Sequence, residues 1–188
     1  MKSMSRGLIS AFVATGLVLT AMAPAYAASS KPAAAAAPAA APSAPTSIGT
    51  FKSWTAWTGK DANGLICYVS AEPTSSKPAG LNRDPVHFLV VHRKGLGTKN
   101  EVQTLIGYPL KKDGKPTAAI DGKSYPMIAD GNGAWLASAA DEAGFVTALK
   151  SGTTLVVKGT SQRGTETTDT YSLSGATAAM QAIDKACS

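Results

Sequence analysis

The sequence predicts a mainly β domain, an antiparallel sandwich or barrel with two short helices and one disulfide. Three observations lead there. Short runs of β-type residues alternate with clusters of Gly, Pro, Asn and Asp, two late segments switch to helical spacing, and one pair of cysteines sits in a chain that opens like an export precursor.

At the N-terminus, Lys2 and Arg6 precede an uncharged apolar stretch from Gly7 to Met22, and Ala25-Tyr26-Ala27 fits a signal-peptidase site. This order predicts a cleaved leader over 1–27 rather than a membrane span. No cysteine stands at the cleavage point to accept a lipid, so no stable membrane insertion is expected after cleavage. From 28 to 46 the composition narrows to Ala, Pro and Ser, and Pro32, Pro38, Pro42 and Pro45 interrupt any helix the alanines would favour. Such a segment buries too little apolar area to offset its ordering entropy, so a disordered linker is expected. Residues 47–188 then make a single domain, with no internal repeat.

Within it, Phe51 to Trp57, Leu65 to Ser70, Val86 to Arg93, Glu101 to Gly107, Thr117 to Asp121, Ser124 to Ala129 and Ala134 to Leu136 read as strands. Breaker-rich segments separate them: 59–64, 73–85, 94–100, 111–116 and 130–133. Ser138 followed by Asp141 resembles a capping box, after which Phe145, Val146 and Leu149 recur at helical spacing until Gly152. Thr154 to Thr160 and Glu166 to Leu173 form a hairpin around Arg163-Gly164, where Gly164 supplies the positive φ of a tight connection. Period-two geometry puts Asp169 on the same face as Tyr171, so this carboxylate needs a partner. A last helix is expected from Gly175 to Ala186, with Ser174 as cap and Ala179, Met180 and Ile183 as its apolar stripe.

Cys67 and Cys187 are the only cysteines, so in an exported chain their pairing is unique. Closing a loop of about 120 residues stabilises a fold by roughly 4–5 kcal/mol in the chain-entropy picture. Absence of a C-x-x-C spacing argues against a redox role. The formal charge of +6 falls to +4 when Lys2 and Arg6 are removed from 18 basic residues against 12 acidic ones, and the remaining cations are scattered. Without a basic stripe interleaved with aromatics, no nucleic-acid partner is expected.

Reaction chemistry is poorly supported by these residues. His87 and His92 lie an odd number apart on one strand, so they point to opposite faces and cannot share a metal. Ser70 and Ser138 could serve a hydrolase with His92, but no G-x-S-x-G surrounds any serine. Asp130-Gly-Asn132-Gly and Asp61-Ala-Asn63-Gly64 lack the further ligands of a calcium loop and read as turns. No metal or other cofactor is therefore expected, and the chain is read as a non-enzyme. Among the tryptophans, Trp135 is expected in the core, at most one of Trp54 and Trp57 belongs there, and Trp54 is held open as a contact residue. Arg163, at the hairpin tip, is the other candidate contact, or else a clamp on Asp169.

The run from Lys158 to Ala186 carries a further signal, together with Cys67-Tyr-Val-Ser-x-x-Pro73, Phe88-Leu-Val90, Glu101-Val102, Ile106-Gly-Tyr-Pro109, Asp130-Gly131 and Ala134-Trp-Leu136. This pattern, over about Phe51 to Cys187, resembles the invasion-associated locus B family of exported bacterial proteins. The resemblance implies an immunoglobulin-like β-sandwich, no catalytic residues and, for pathogen members, a role in host-cell entry. The expected function is thus a non-catalytic binding module, periplasmic, at the cell surface or secreted, whose partner is a protein or glycan of the envelope or of a host surface. The alternatives are a periplasmic structural or stress factor bound to another envelope protein, and a hydrolase using His92.

Overall fold

The computed structural model describes residues 44–188; the expected leader and nearly all of the expected linker lie outside the described residues. The chain there is mainly β, with eleven strands, two α-helices and one disulfide. In chain order the strands are β1 (Thr46–Phe51), β2 (Trp54–Asp61), β3 (Gly64–Ala71), β4 (Ser75–Lys77), β5 (His87–Arg93), β6 (Thr98–Leu105), β7 (Thr117–Ile120), β8 (Lys123–Asp130) and β9 (Gly133–Leu136). Helix α1 (Ala139–Ser151) precedes β10 (Thr154–Thr160) and β11 (Glu166–Ser172), and α2 (Ala176–Ala186) ends the domain.

All strand pairs are antiparallel, in the order β1-β2-β3-β5-β6-β9-β8-β7-β10-β11-β4. Strand β8 is the joint. Its first half, Lys123 to Pro126, pairs with β7, and its second half, Met127 to Asp130, pairs with β9. The sheet therefore curls over itself, and strands far apart in the order meet face to face. Phe88 of β5 packs edge-on against Tyr171 of β11 with ring centroids 5.9 Å apart, and Trp54 of β2 donates its indole N–H to the Ser172 carbonyl of β11 at 2.9 Å. The two layers are joined through β8, which is long enough to pair with different neighbours along its two halves.

The core follows the period-two pattern of its strands. Val69, Phe88, Val90, Val102, Leu155, Val157 and Tyr171 are buried between the layers. Helix α1 adds Phe145, which stacks on Phe88 and meets Tyr125 edge-on, with Val146 and Leu149 beside it. Each such fully buried side chain contributes about 1.5–3 kcal/mol of transfer free energy.

Helix α2 buries Ala179, Met180 and Ile183 as its spacing requires, lies on β1, β2 and β3, and delivers Cys187 to Cys67.

Several local expectations change. The predicted strand Phe51 to Trp57 is two strands, because Lys52, at φ 53°, turns the chain back so that Phe51 pairs with Trp54. Strand β1 itself begins at Thr46, the last residue assigned to the linker. The 73–85 loop contains the three-residue strand β4, which covers the free edge of β11. Ser174 does not cap α2; the N-cap is Gly175 at φ 93°, and a Cβ there would collide with the Phe51 carbonyl. Ser138 does occupy the N-cap of α1, though without a side-chain cap bond, and Asp141 and Glu142 stand in the first turn.

The tryptophan assignments reverse. Trp54 is wholly buried and so cannot serve as an exposed contact, because its side faces the layer interior where β11 offers its indole a carbonyl. Trp57 takes the opposite face, as a three-residue offset demands, and stacks on Tyr68. Trp135, expected in the core, is only half-buried: Ala134 and Leu136 take the inward positions of β9 and leave it on the outer face.

A polar cleft at the hairpin tip

The β10–β11 hairpin turns through Ser161 to Thr165. Gly164, at φ 86°, closes the turn, its N–H reaching the Ser161 carbonyl at 2.9 Å, while the Thr165 N–H binds the Ser161 hydroxyl at 3.1 Å. This leaves Arg163 exposed at the tip. Beside it runs Ile106 to Leu110, a segment that supports two walls. The Gln162 N–H donates to the Pro109 carbonyl at 3.0 Å, and the Asp84 N–H donates to the Gly107 carbonyl at 3.0 Å. Gly107, at φ 78°, is required there because a Cβ would strike the Asp84 carbonyl.

Between the walls lies a cleft of about 440 Å³, bordered by Leu81, Asn82 and Asp84 on one side and by Gln162, Arg163 and Thr165 on the other. Tyr108 and Thr167 lie deeper, hydroxyl to hydroxyl at 2.6 Å, and burial raises the Tyr108 phenol above its ordinary value. Beneath them Arg83 forms a two-pronged ion pair with Asp169. Asp169 therefore finds the partner its core-facing position demands, but in Arg83 rather than Arg163. A second cleft of about 470 Å³, along the other side of the 78–86 loop, shares Leu81, Arg83 and Asp84 with the first.

The sequence offers no signal for Arg83 or Asp84 as site residues, and Tyr108 enters it only within the Ile106-Gly-Tyr-Pro109 segment. Arg83 and Asp84 lie in a breaker-rich loop without periodicity, and only the tertiary fold brings them to the hairpin. Asp169 was the one residue whose position announced an unseen partner.

The remaining candidates lie apart from the cleft. Cys67 and Cys187 are bonded, and the last turn of α2 also brings Asp184 to His92, the register partner of Cys67 on β5. His92 is buried; its Nδ1 accepts the Asn100 N–H at 3.2 Å, so Nε2 carries the proton and donates to Asp184 at 2.9 Å. Both ring nitrogens are thus engaged, and Ser70 instead accepts the Trp57 indole N–H. His87 lies on the opposite face of β5. Asp130-Gly-Asn132-Gly and Asp61-Ala-Asn63-Gly64 are hairpin turns, and Arg93 bridges Asp61 to Glu101. Among the described residues no group of three or more His, Cys, Asp or Glu is placed to hold a metal, and no helix is long and apolar enough to cross a membrane.

Fold and site together define a disulfide-stapled antiparallel β domain with a polar cleft at one hairpin tip. The sequence model described as Invasion associated locus B (IalB) protein matches residues 54–184, and the chain belongs to that family. No curated protein and no solved structure matches it.

Proposed function

We propose that this protein is an exported, non-catalytic binding module that engages a component of the bacterial envelope or of a host-cell surface through the cleft at the β10–β11 tip. The carrying observation is that exposed Asn82, Asp84, Gln162 and Arg163 converge on one concavity, set on a stapled frame, and that neither Asp84 nor Arg163 is in an ion pair with another described residue. Polar groups held by a rigid scaffold and left without internal partners are the usual makings of a recognition site.

The leader-like N-terminus and the disulfide support export, and the family's description supports association with invasion. Engagement of both His92 nitrogens supports a structural role for that residue rather than a hydrolytic one. The test is cross-linking of purified mature protein to intact cells and envelope fractions, followed by capture and mass spectrometry. A component retained by wild type and lost with Arg163→Ala supports the reading; equal capture by both, or none by either, defeats it.

A further inference from the structure

The chemistry of the cleft narrows its ligand. Its polar side chains left without a hydrogen-bond partner among the described residues are one carboxylate, Asp84, one guanidinium, Arg163, two carboxamides, Asn82 and Gln162, and the Thr165 hydroxyl, whereas Ser161, Tyr108 and Arg83 are engaged within the fold. An anion would meet Asp84, and a cation would meet Arg163. A purely apolar ligand would strip water from all five groups without replacing it, which is unfavourable for each group left unpaired and most of all for the two charged ones. What satisfies such a mixture is a molecule rich in hydroxyls, each able to donate and accept.

Carboxylate, guanidinium and carboxamide are planar and present two polar atoms side by side, the spacing at which adjacent hydroxyls of a pyranose ring are bridged. Exposed Leu81 and Pro109, with the half-buried Tyr108 ring, add apolar surface against which the C–H face of a sugar can lie. The volume is also in the range of small-molecule sites, roughly 300–1,000 Å³.

We propose that the cleft is a saccharide site, in which Asp84 and Asn82 from the 78–86 loop and Gln162 and Arg163 from the hairpin tip hold the hydroxyls of an uncharged sugar. The buried pair Arg83–Asp169 acts beneath it as a support, since its charges are spent on each other. This assignment rests on the cleft being the recognition site of the binding module, and it names the ligand class.

The test is titration of ¹⁵N-labelled mature protein with N-acetylglucosamine and galactose, with sodium sulfate as the anion control, followed by amide shift mapping. Saturable shifts from at least one sugar, confined to 82–84, 107–108 and 161–167, are expected. Arg163→Ala and Asp84→Asn should each weaken that binding about fivefold or more, while Lys185→Ala on α2 leaves it unchanged; dispersed spectra establish that the variants are folded. The proposal is overturned if neither sugar shifts these amides, if sulfate alone does, or if binding survives both substitutions. Capture of an Arg163-dependent envelope protein alongside inert sugars would remove the saccharide assignment and leave the binding module standing.

Discussion

Arg83 and Asp169 form a buried two-pronged ion pair that ties the loop after β4 to the middle of β11. Their side chains are 8% and 0% exposed, and Arg83 Nη1 lies 3.0 Å from Asp169 Oδ2. Ser76 adds a hydroxyl donor to the same carboxylate at 2.6 Å, while Nη1 also reaches the Ile106 carbonyl at 3.3 Å. The hydrogen bond to Asp169 raises the Arg83 guanidinium further, against the desolvation that lowers it. One pair thus fixes the floor of the cleft and the loop that forms its wall.

Breaking this pair from one side should be costly. Arg83→Met leaves a carboxylate buried and uncompensated, and such a change destabilises by about 3–5 kcal/mol. Urea unfolding of Arg83→Met should show that loss, whereas Arg83→Met combined with Asp169→Leu should recover much of it, because two apolar residues leave no orphaned charge. A single variant as stable as wild type would show that the pair carries no weight.

Reduction of the Cys67–Cys187 bridge should cost roughly 4–5 kcal/mol, the loop-closure value for a sequence separation of 120. The double variant Cys67→Ala/Cys187→Ala should unfold at the urea midpoint of the reduced wild type and no longer respond to dithiothreitol. An unchanged midpoint in the double variant would mean that α2 is held by packing and by Asp184 alone.

Much of this frame is legible in the residues. The pairing of Cys67 with Cys187 follows from their being the only two cysteines, and the Gly164 turn and the inward stripe of Ala179, Met180 and Ile183 follow from local spacing. The cleft does not, for a physical reason: Arg83 is 86 positions from Asp169, and nothing in an aperiodic loop indicates which strand it will meet. Asp169 shows how far local geometry reaches, since alternation put it on the core face and required a partner without naming one. The tryptophans show where it stops, because the turn at Lys52, which a β-branched and aromatic run conceals, decides which face of β2 Trp54 takes.

The two indoles of β2 should answer differently to mutation. Trp54→Ala opens a large cavity beside Phe88 and orphans the Ser172 carbonyl, so a loss of about 3–5 kcal/mol is expected. Trp57→Ala, on the half-buried outer face, removes a stacking contact with Tyr68 and a bond to Ser70, and about 1–2 kcal/mol is expected. Thermal unfolding that ranks Trp57→Ala as the more damaging would reverse the assignment of the inner face.

The pH dependence of stability should carry a signature of Asp184. Partial burial works to raise its pKa, but the hydrogen bond from His92 and the charge of Lys150, whose Nζ lies 3.4 Å away, prevail and lower it. A carboxyl group whose pKa is lower folded than unfolded binds fewer protons in the native state, so its stabilising contribution is present above the unfolded value, about 3.9, and is lost as pH falls through the folded one. Asp184→Asn keeps an acceptor for the His92 N–H but removes the charge. The variant should therefore be less stable than wild type at neutral pH, and the gap should close as pH drops below about 4. With the carboxylate substantially exposed, solvent screening keeps the gap small. Urea midpoints at neutral pH and at about pH 3 measure both ends of that window, and a gap that widened on acidification would show that Asp184 does not stabilise the fold as a carboxylate.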